Sequence, residues 1–150
     1  MINVAIDTNI LVYAEQVSGA AKRAAALELL ENLPRETTLI PVQVLGELYR
    51  VLTGKAKRSA ANARAAVVAW GDSYPLIESS SSVLLEALDL AAEHRFHIFD
   101  AMILAGAADA GCRLLLSEDL QDGFTWRGVT IANPFAKARH LLLDALLKDE

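Results

Sequence analysis

Short, largely apolar runs constrain the fold of this chain most: Ile2-Asn3-Val4-Ala5-Ile6, Leu114-Leu115-Leu116 and Val129-Thr130-Ile131. Each is too short for a helix and too continuous to present one wet and one dry face, so each reads as a strand buried on both sides. Residues 37–40 and 74–77 read as two further strands. Between the strands lie segments of helical composition. They comprise residue 10 to about 19, 20–33 stopped by Pro34, 41–53 opened by Pro41 in the first turn, and 58–70 ended by Gly71. Two more follow, 83–95 capped from within 79–82 and 100–111 ended by Gly111. Asn133-Pro134 reads as an N-cap with proline at the first position of a Leu-rich terminal helix, one that packs on the core. Alternating strands and helices predict an α/β fold, a central parallel sheet of four to five short strands flanked by helices on both faces. At 150 residues one domain, 1–150, is expected.

The end of the first run carries chemistry. Asp7 follows Ile6 directly and is delivered to the C-terminal edge of its strand, where open α/β sheets bind ligands. A carboxylate beside a core strand is costly without a cation or hydrogen bonds to compensate it. Three more acids sit at comparable points. Glu47 lies in the 41–53 helix and borders the face made by Val44, Leu48, Val51 and Leu52, with a surface pair to Arg50 as the plain alternative. Asp100 opens its helix among apolar neighbours, and helix capping explains it equally well in isolation. Asp119 lies just beyond the strand 114–116, in a loop that also offers Glu118 and Asp122. Asp122-Gly123 reads more simply as a turn. Asp109 projects from the opposite side of the helix from Asp100, at ~100° per residue, and faces solvent. Four converging charges would repel by several kcal/mol unless neutralised. Hard, oxygen-seeking Mg²⁺ or Mn²⁺ are the natural neutralisers, and such an ion activates water and polarises a phosphoryl oxygen.

Composition narrows the class. Hydrophobic residues make up 53% and the mean hydropathy is +0.29, against disorder. No apolar run approaches the ~18 residues of a membrane span, and no signal peptide is visible, so a cytoplasmic location without membrane contact is expected. Cys112 is a lone cysteine, expected as a small buried filler. A net charge of −5 and a pI of about 5.2 argue against a wholly basic nucleic-acid coat protein but not against a nuclease, whose metal offsets its acids. Arg50, Lys55, Lys57, Arg58 and Arg64 form the one basic cluster able to hold nucleic acid, or equally a solvated surface.

Taken in order, these motifs resemble the PIN domain, specifically the VapC toxin type. Val4-Ala5-Ile6-Asp7-Thr8-Asn9-Ile10-Leu11 is similar to the family's opening strand and acid, and Val44-Leu45-Gly46-Glu47-Leu48 to its helical glutamate. Phe99-Asp100-Ala101-Met102-Ile103-Leu104-Ala105 resembles the segment of the third acid, and Leu115-Leu116-Ser117-Glu118-Asp119 that of the fourth. The exit Gly128-Val129-Thr130-Ile131-Ala132-Asn133-Pro134-Phe135 is similar to the family's last strand. The resemblance spans essentially the whole chain. It implies a Mg²⁺- or Mn²⁺-dependent endoribonuclease, the toxin of a toxin–antitoxin pair, that dimerises and is silenced by a VapB-like antitoxin. It also implies that Asp7, Glu47, Asp100 and Asp119 hold metal and position water. Thr8 and Ser117 would hydrogen-bond the metal shell or a substrate phosphate, or act only as cap and turn hydroxyls. Asn9 would steady Asp7 or cap the next turn.

Other chemistries fit less well. His94 and His97 lack further zinc ligands nearby. No Gly-rich phosphate loop of the Walker type is present. An aspartyl-phosphate phosphatase needs a second acid two residues after the first, where this chain has Asn9. The competing function is a catalytically silent PIN-fold module that binds RNA or protein.

Overall fold

The computed structural model describes residues 1–148. Strand β1 (Asn3–Ile6) is followed without a linker by helix α1 (Thr8–Ala14), then by α2 (Ala20–Asn32) and β2 (Thr38–Pro41). Next come α3 (Val42–Thr53), α4 (Ala60–Ser73), β3 (Leu76–Ile77), α5 (Ser81–His94) and α6 (Ile98–Asp109). The chain ends with β4 (Cys112–Leu116), β5 (Thr125–Trp126), β6 (Val129–Ala132) and α7 (Leu141–Lys148).

The sheet order is β3-β2-β1-β4-β6-β5, and every pairing is parallel except β5 with β6. The consecutive buried residues Val4, Ala5 and Ile6, and likewise Leu114, Leu115 and Leu116, show that the central strands are covered on both faces. Five parallel strands match the expected sheet. The sixth, β5, is a two-residue addition that sequence reading left as loop. It turns back through Arg127 (φ 46°) and Gly128 (φ 85°), two left-handed residues suited to a tight hairpin.

Connectivity creates the site. From β1 the chain moves outward to β2 and β3, then crosses to the other side of β1 to lay down β4 and β6. The reversal opens a crevice between the C-terminal ends of β1 and β4, the place where such sheets bind ligands. Asp7 N–H donates to the Leu116 carbonyl across this junction (3.0 Å), and Ser117 N–H donates to the Ala132 carbonyl (3.1 Å).

Several local expectations need correction. Helix α1 stops at Ala14 rather than near Gly19, because Gln16 turns left-handed (φ 65°). Pro41 is extended (ψ 135°), closing β2 and preceding α3 instead of lying in its first turn. Helix α4 runs through Gly71 to Ser73. There a Cβ would sit 3.4 Å from the Leu45 side chain, so this glycine serves close packing of α4 on α3, not termination. Asn133-Pro134 starts no helix. The Asn133 side chain accepts from Phe135 N–H (2.9 Å) in a turn that sets the Phe135 ring 5.9 Å from Tyr13, and α7 begins only at Leu141. Helix α7 does pack on the core through fully buried Leu143, although Leu141 is exposed. Cys112 is buried, as expected, and burial pushes its thiol up to about 12.

Candidate metal and active site

Asp7 is almost wholly buried, yet no basic side chain pairs with it among the described residues. Its Oδ1 accepts from the Thr8 N–H (2.8 Å), capping α1. Its Oδ2 accepts from the Ser117 hydroxyl (2.7 Å) and from Asn9 Nδ2 (3.3 Å). Burial raises the carboxyl to about 6; the hydrogen bonds from Ser117 and Thr8 oppose the rise, and the charges of Asp100 and Glu47 add to it. Those two acids therefore face Asp7 closely enough to repel it.

The other carboxylates sit nearby. Asp100 is raised by burial first, then by Glu47 and Asp119, while His97 works in the opposite direction. Glu47 Oε2 accepts from the Thr8 hydroxyl (2.5 Å), and its Oε1 accepts from Gln43 Nε2 (3.4 Å). The alternative surface pair of Glu47 with Arg50 is not formed among the described residues. Asp100 lies in the first turn of α6 but is not its cap; His97 Nδ1 accepts from the Phe99 N–H (3.3 Å) and fills that role. That leaves the Asp100 carboxylate free of capping and turned toward the other acids. Asp119 is exposed at the mouth, and its N–H is held by Ser117 Oγ (3.2 Å).

Ser117 is the hub of this arrangement. Its fully buried hydroxyl donates to Asp7 and accepts from Asn9 Nδ2 (3.1 Å), Asp119 N–H and Leu120 N–H (3.3 Å). Asn9 completes the junction by accepting from the Glu118 N–H (3.1 Å). Thr8 thus hydrogen-bonds Glu47, and Asn9 and Ser117 hydrogen-bond Asp7.

Among the acids after β4, the structure separates the roles that the sequence left open. Glu118 turns away: its Oε1 accepts from Tyr13 OH (2.6 Å) and Lys22 Nζ (2.8 Å), which hold its carboxyl below the usual range. Asp122 accepts from the Asn133 N–H (2.9 Å), in keeping with a turn residue. Asp119 alone of the three bears on Asp100.

Two contributors escaped sequence reading. Gln43, one helical turn before Glu47, also donates to the Phe99 carbonyl (2.9 Å) and so ties α3 to the start of α6. The Tyr13–Glu118–Lys22 cluster clamps the Asp119 loop onto α1 and α2. The i−4 spacing of Gln43 was visible; its partner 56 residues away was not. Within the basic cluster, Arg58 is occupied by the Glu15 carboxylate and carbonyl (2.6 Å each). His94 packs edge-on against Phe124, with ring centroids 5.3 Å apart.

The donor set suits a hard cation, since carboxylate and hydroxyl oxygens surround the crevice. Among the described residues no group of three or more Asp, Glu, His or Cys side chains is arranged to hold a metal ion. Mg²⁺ does not ask for one, because it is commonly held by one or two carboxylates with waters and substrate phosphates completing its shell. The buried charge on Asp7, uncompensated by any basic group among the described residues, is the feature such an ion would answer.

The fold finds parallels among known proteins. A toxin–antitoxin complex from Klebsiella pneumoniae superposes with a TM-score of 0.66 at 23% identity, covering 89% of this chain and 98% of that one. Mycobacterium tuberculosis VapC20, a toxin that cleaves the sarcin–ricin loop, gives 0.64 at 18% identity, covering 75% and 87%. VapBC2 from Rickettsia felis, solved with a DNA fragment from its promoter, gives 0.63 at 18%, covering 87% and 97%. At these identities the likeness speaks for the fold alone. A sequence comparison with curated proteins gives no match. The profile described as "PIN domain" matches residues 4–122, from the first buried residue of β1 through the loop that carries Asp119. This chain belongs to the PIN domain family.

Proposed function

We propose that this protein is a metal-dependent endoribonuclease, the VapC-type toxin of a toxin–antitoxin pair, working in the cytoplasm. The observation that carries the reading is the buried Asp7 carboxylate, pushed up to about 6 by burial together with the charges of Asp100 and Glu47, with no basic side chain paired to it among the described residues. A binding module gains nothing from crowding like charges, whereas a nuclease uses them to hold a cation. When bound there, Mg²⁺ or Mn²⁺ supplies charge neutralisation at the phosphoryl group and activates water.

The chain's own residues do the rest. Asp7, locked by Ser117, Asn9 and the Thr8 N–H, presents a fixed charge at the end of β1. Glu47 is aimed by Thr8 and Gln43 from α3, and Asp100 approaches from α6. Asp119, at the open rim, would hold the attacking water or accept its proton. The assignment of all four as metal ligands rests on the family resemblance, and that of Thr8, Asn9 and Ser117 as their supports on their hydrogen bonds to Glu47 and Asp7.

An antitoxin partner is supported by the toxin–antitoxin complexes that share this fold. Homodimerisation is supported by Leu84, Leu85 and Leu88, left exposed together on α5. The deciding experiment incubates the purified protein with RNA in Mg²⁺, Mn²⁺ or EDTA, beside Asp7→Asn. Cleavage that needs the cation and vanishes in the variant is expected. Cleavage indifferent to both would rule out this mechanism, and RNA bound but never cut would favour a silent binding module.

A further inference from the structure

Two adjacent acids follow β4, and the structure uses them in opposite ways. Asp119 lines an open cavity with Thr8 and Asn9, and its charge bears on Asp100. Its carboxylate makes no hydrogen bond or ion pair among the described residues. Glu118 is fastened at both ends. Its N–H donates to Asn9 Oδ1 (3.1 Å), while its Oε1 accepts from Tyr13 OH (2.6 Å) and Lys22 Nζ (2.8 Å). Residues 117–122 belong to no helix or strand, so no ladder holds this loop and its course depends on such contacts.

Helix α1 supplies most of them. Asn9 and Tyr13 are four residues apart and share one face of the helix. Asp7 caps the same helix, so its start fixes the first acid and its next turn fixes the loop that carries the fourth. The Tyr13 ring is itself confined, with the Phe135 ring 5.9 Å away and Lys22 Nζ 4.4 Å above its centroid. Burial raises the Tyr13 phenol above its usual range and the bond to Glu118 adds to the rise, which keeps it a donor. The Lys22 side chain is 47% exposed, and an ion pair of that kind contributes little alone. The phenol is the firmer hold.

We propose that Tyr13 and Lys22 are positioning residues that select which of the two neighbouring acids serves the crevice. By tying Glu118 to α1 and α2 they leave Asp119 as the carboxylate presented to it. Without them the loop can offer either acid, and the selection is lost. This role rests on reading the acids as a metal-holding nuclease site and adds a device that lies outside the crevice.

The test titrates the full chain with Mn²⁺ by calorimetry, comparing Glu118→Gln with Asp119→Asn in two backgrounds: native, and Tyr13→Phe with Lys22→Met. In the native background Glu118→Gln should keep Kd within about twofold, because the amide oxygen still accepts from both partners, while Asp119→Asn raises it. In the clamp-free background the two substitutions are expected to raise Kd alike, within about twofold of each other. The kcat for RNA cleavage should fall about 10-fold in that background with KM kept. Tyr13→Phe alone, which removes one oxygen, should show part of each effect and stands in if the double variant does not fold. A clamp that only stabilised the loop would leave Asp119→Asn dominant and Glu118→Gln silent in both backgrounds, and that pattern overturns the proposal. Exchanged roles toward Mn²⁺ in a chain that never cuts RNA would uphold the clamp and reject the nuclease. Metal-dependent cleavage without the exchange would do the reverse, and a native chain that binds no Mn²⁺ would reject both.

Discussion

The Ser117 hydroxyl donates to Asp7 Oδ2 across 2.7 Å, joining residues 110 positions apart. This contact bridges the ends of β1 and β4 at the point where the sheet reverses direction. Because the same oxygen also accepts from Asn9 and from the backbone of Asp119 and Leu120, the position of one acid is linked to that of another.

Ser117→Ala would strip that hub of its only polar atom. Asn9 and two backbone N–H groups would lose an acceptor and Asp7 a donor, at a cost of about 2–3 kcal/mol. For a chain of this length, that is a fall of roughly 4–12 °C in Tm. Differential scanning calorimetry of the metal-free protein checks it; a fall under one degree would show that the hub is not holding the junction together.

The ionisation of Asp7 sets a pH dependence with a definite sign. Its folded value of about 6 lies above the ordinary 3.8, so between these values the native state keeps a proton that the unfolded chain has released. Stability from this group is full below about pH 4 and declines as pH rises through 6. Asp100, also raised, acts in the same direction. In EDTA, urea unfolding should give a protein about 1–2 kcal/mol less stable at pH 7.5 than at pH 5 from Asp7 alone. Added Mn²⁺ should erase most of the difference.

Asp7→Asn separates function from stability. Removing the buried charge should raise the metal-free Tm at pH 7.5 by several degrees, set against one weakened hydrogen bond. RNA cleavage should meanwhile drop by about 100-fold or more. A variant both less stable and inactive would mean that the carboxylate is a structural anchor first.

Thr8→Val keeps the shape of the side chain and removes the hydroxyl that aims Glu47. Orienting partners of this kind commonly change metal affinity by about 10- to 100-fold. Titration calorimetry with Mn²⁺ should show a loss in that range at nearly constant Tm. An unaltered Kd would indicate that Glu47 finds its place without Thr8.

Glu118→Gln addresses the neighbouring acid. Its carboxylate is spent on Tyr13 and Lys22, so Mn²⁺ affinity should stay within about twofold, while Asp119→Asn weakens it. Should Glu118→Gln weaken Mn²⁺ as much as Asp119→Asn does, the roles of the two residues would be reversed.

Sequence and structure divide the account of this protein along physical lines. The buried runs around Val4 and Leu115 were legible because a strand covered on both faces has no polar residue to spare. Asp7 was legible because a charge at the end of such a strand stands out against its surroundings. Pro41, Gly71 and Asn133-Pro134 misled for one shared reason. Each is a local signal whose outcome was settled by a distant surface, such as Leu45 against Gly71 or Tyr13 against Phe135.

Local chemistry therefore determined the elements, their order and the acids themselves. Tertiary structure decided which acids meet. His97 took the cap that would have occupied Asp100, Tyr13 and Lys22 drew Glu118 away, and Thr8 with Gln43 claimed Glu47 before Arg50 could. Hydrogen bonds across 39 to 110 residues carry no periodic trace along the chain. They exist only once the sheet reversal has brought the ends of β1 and β4 side by side.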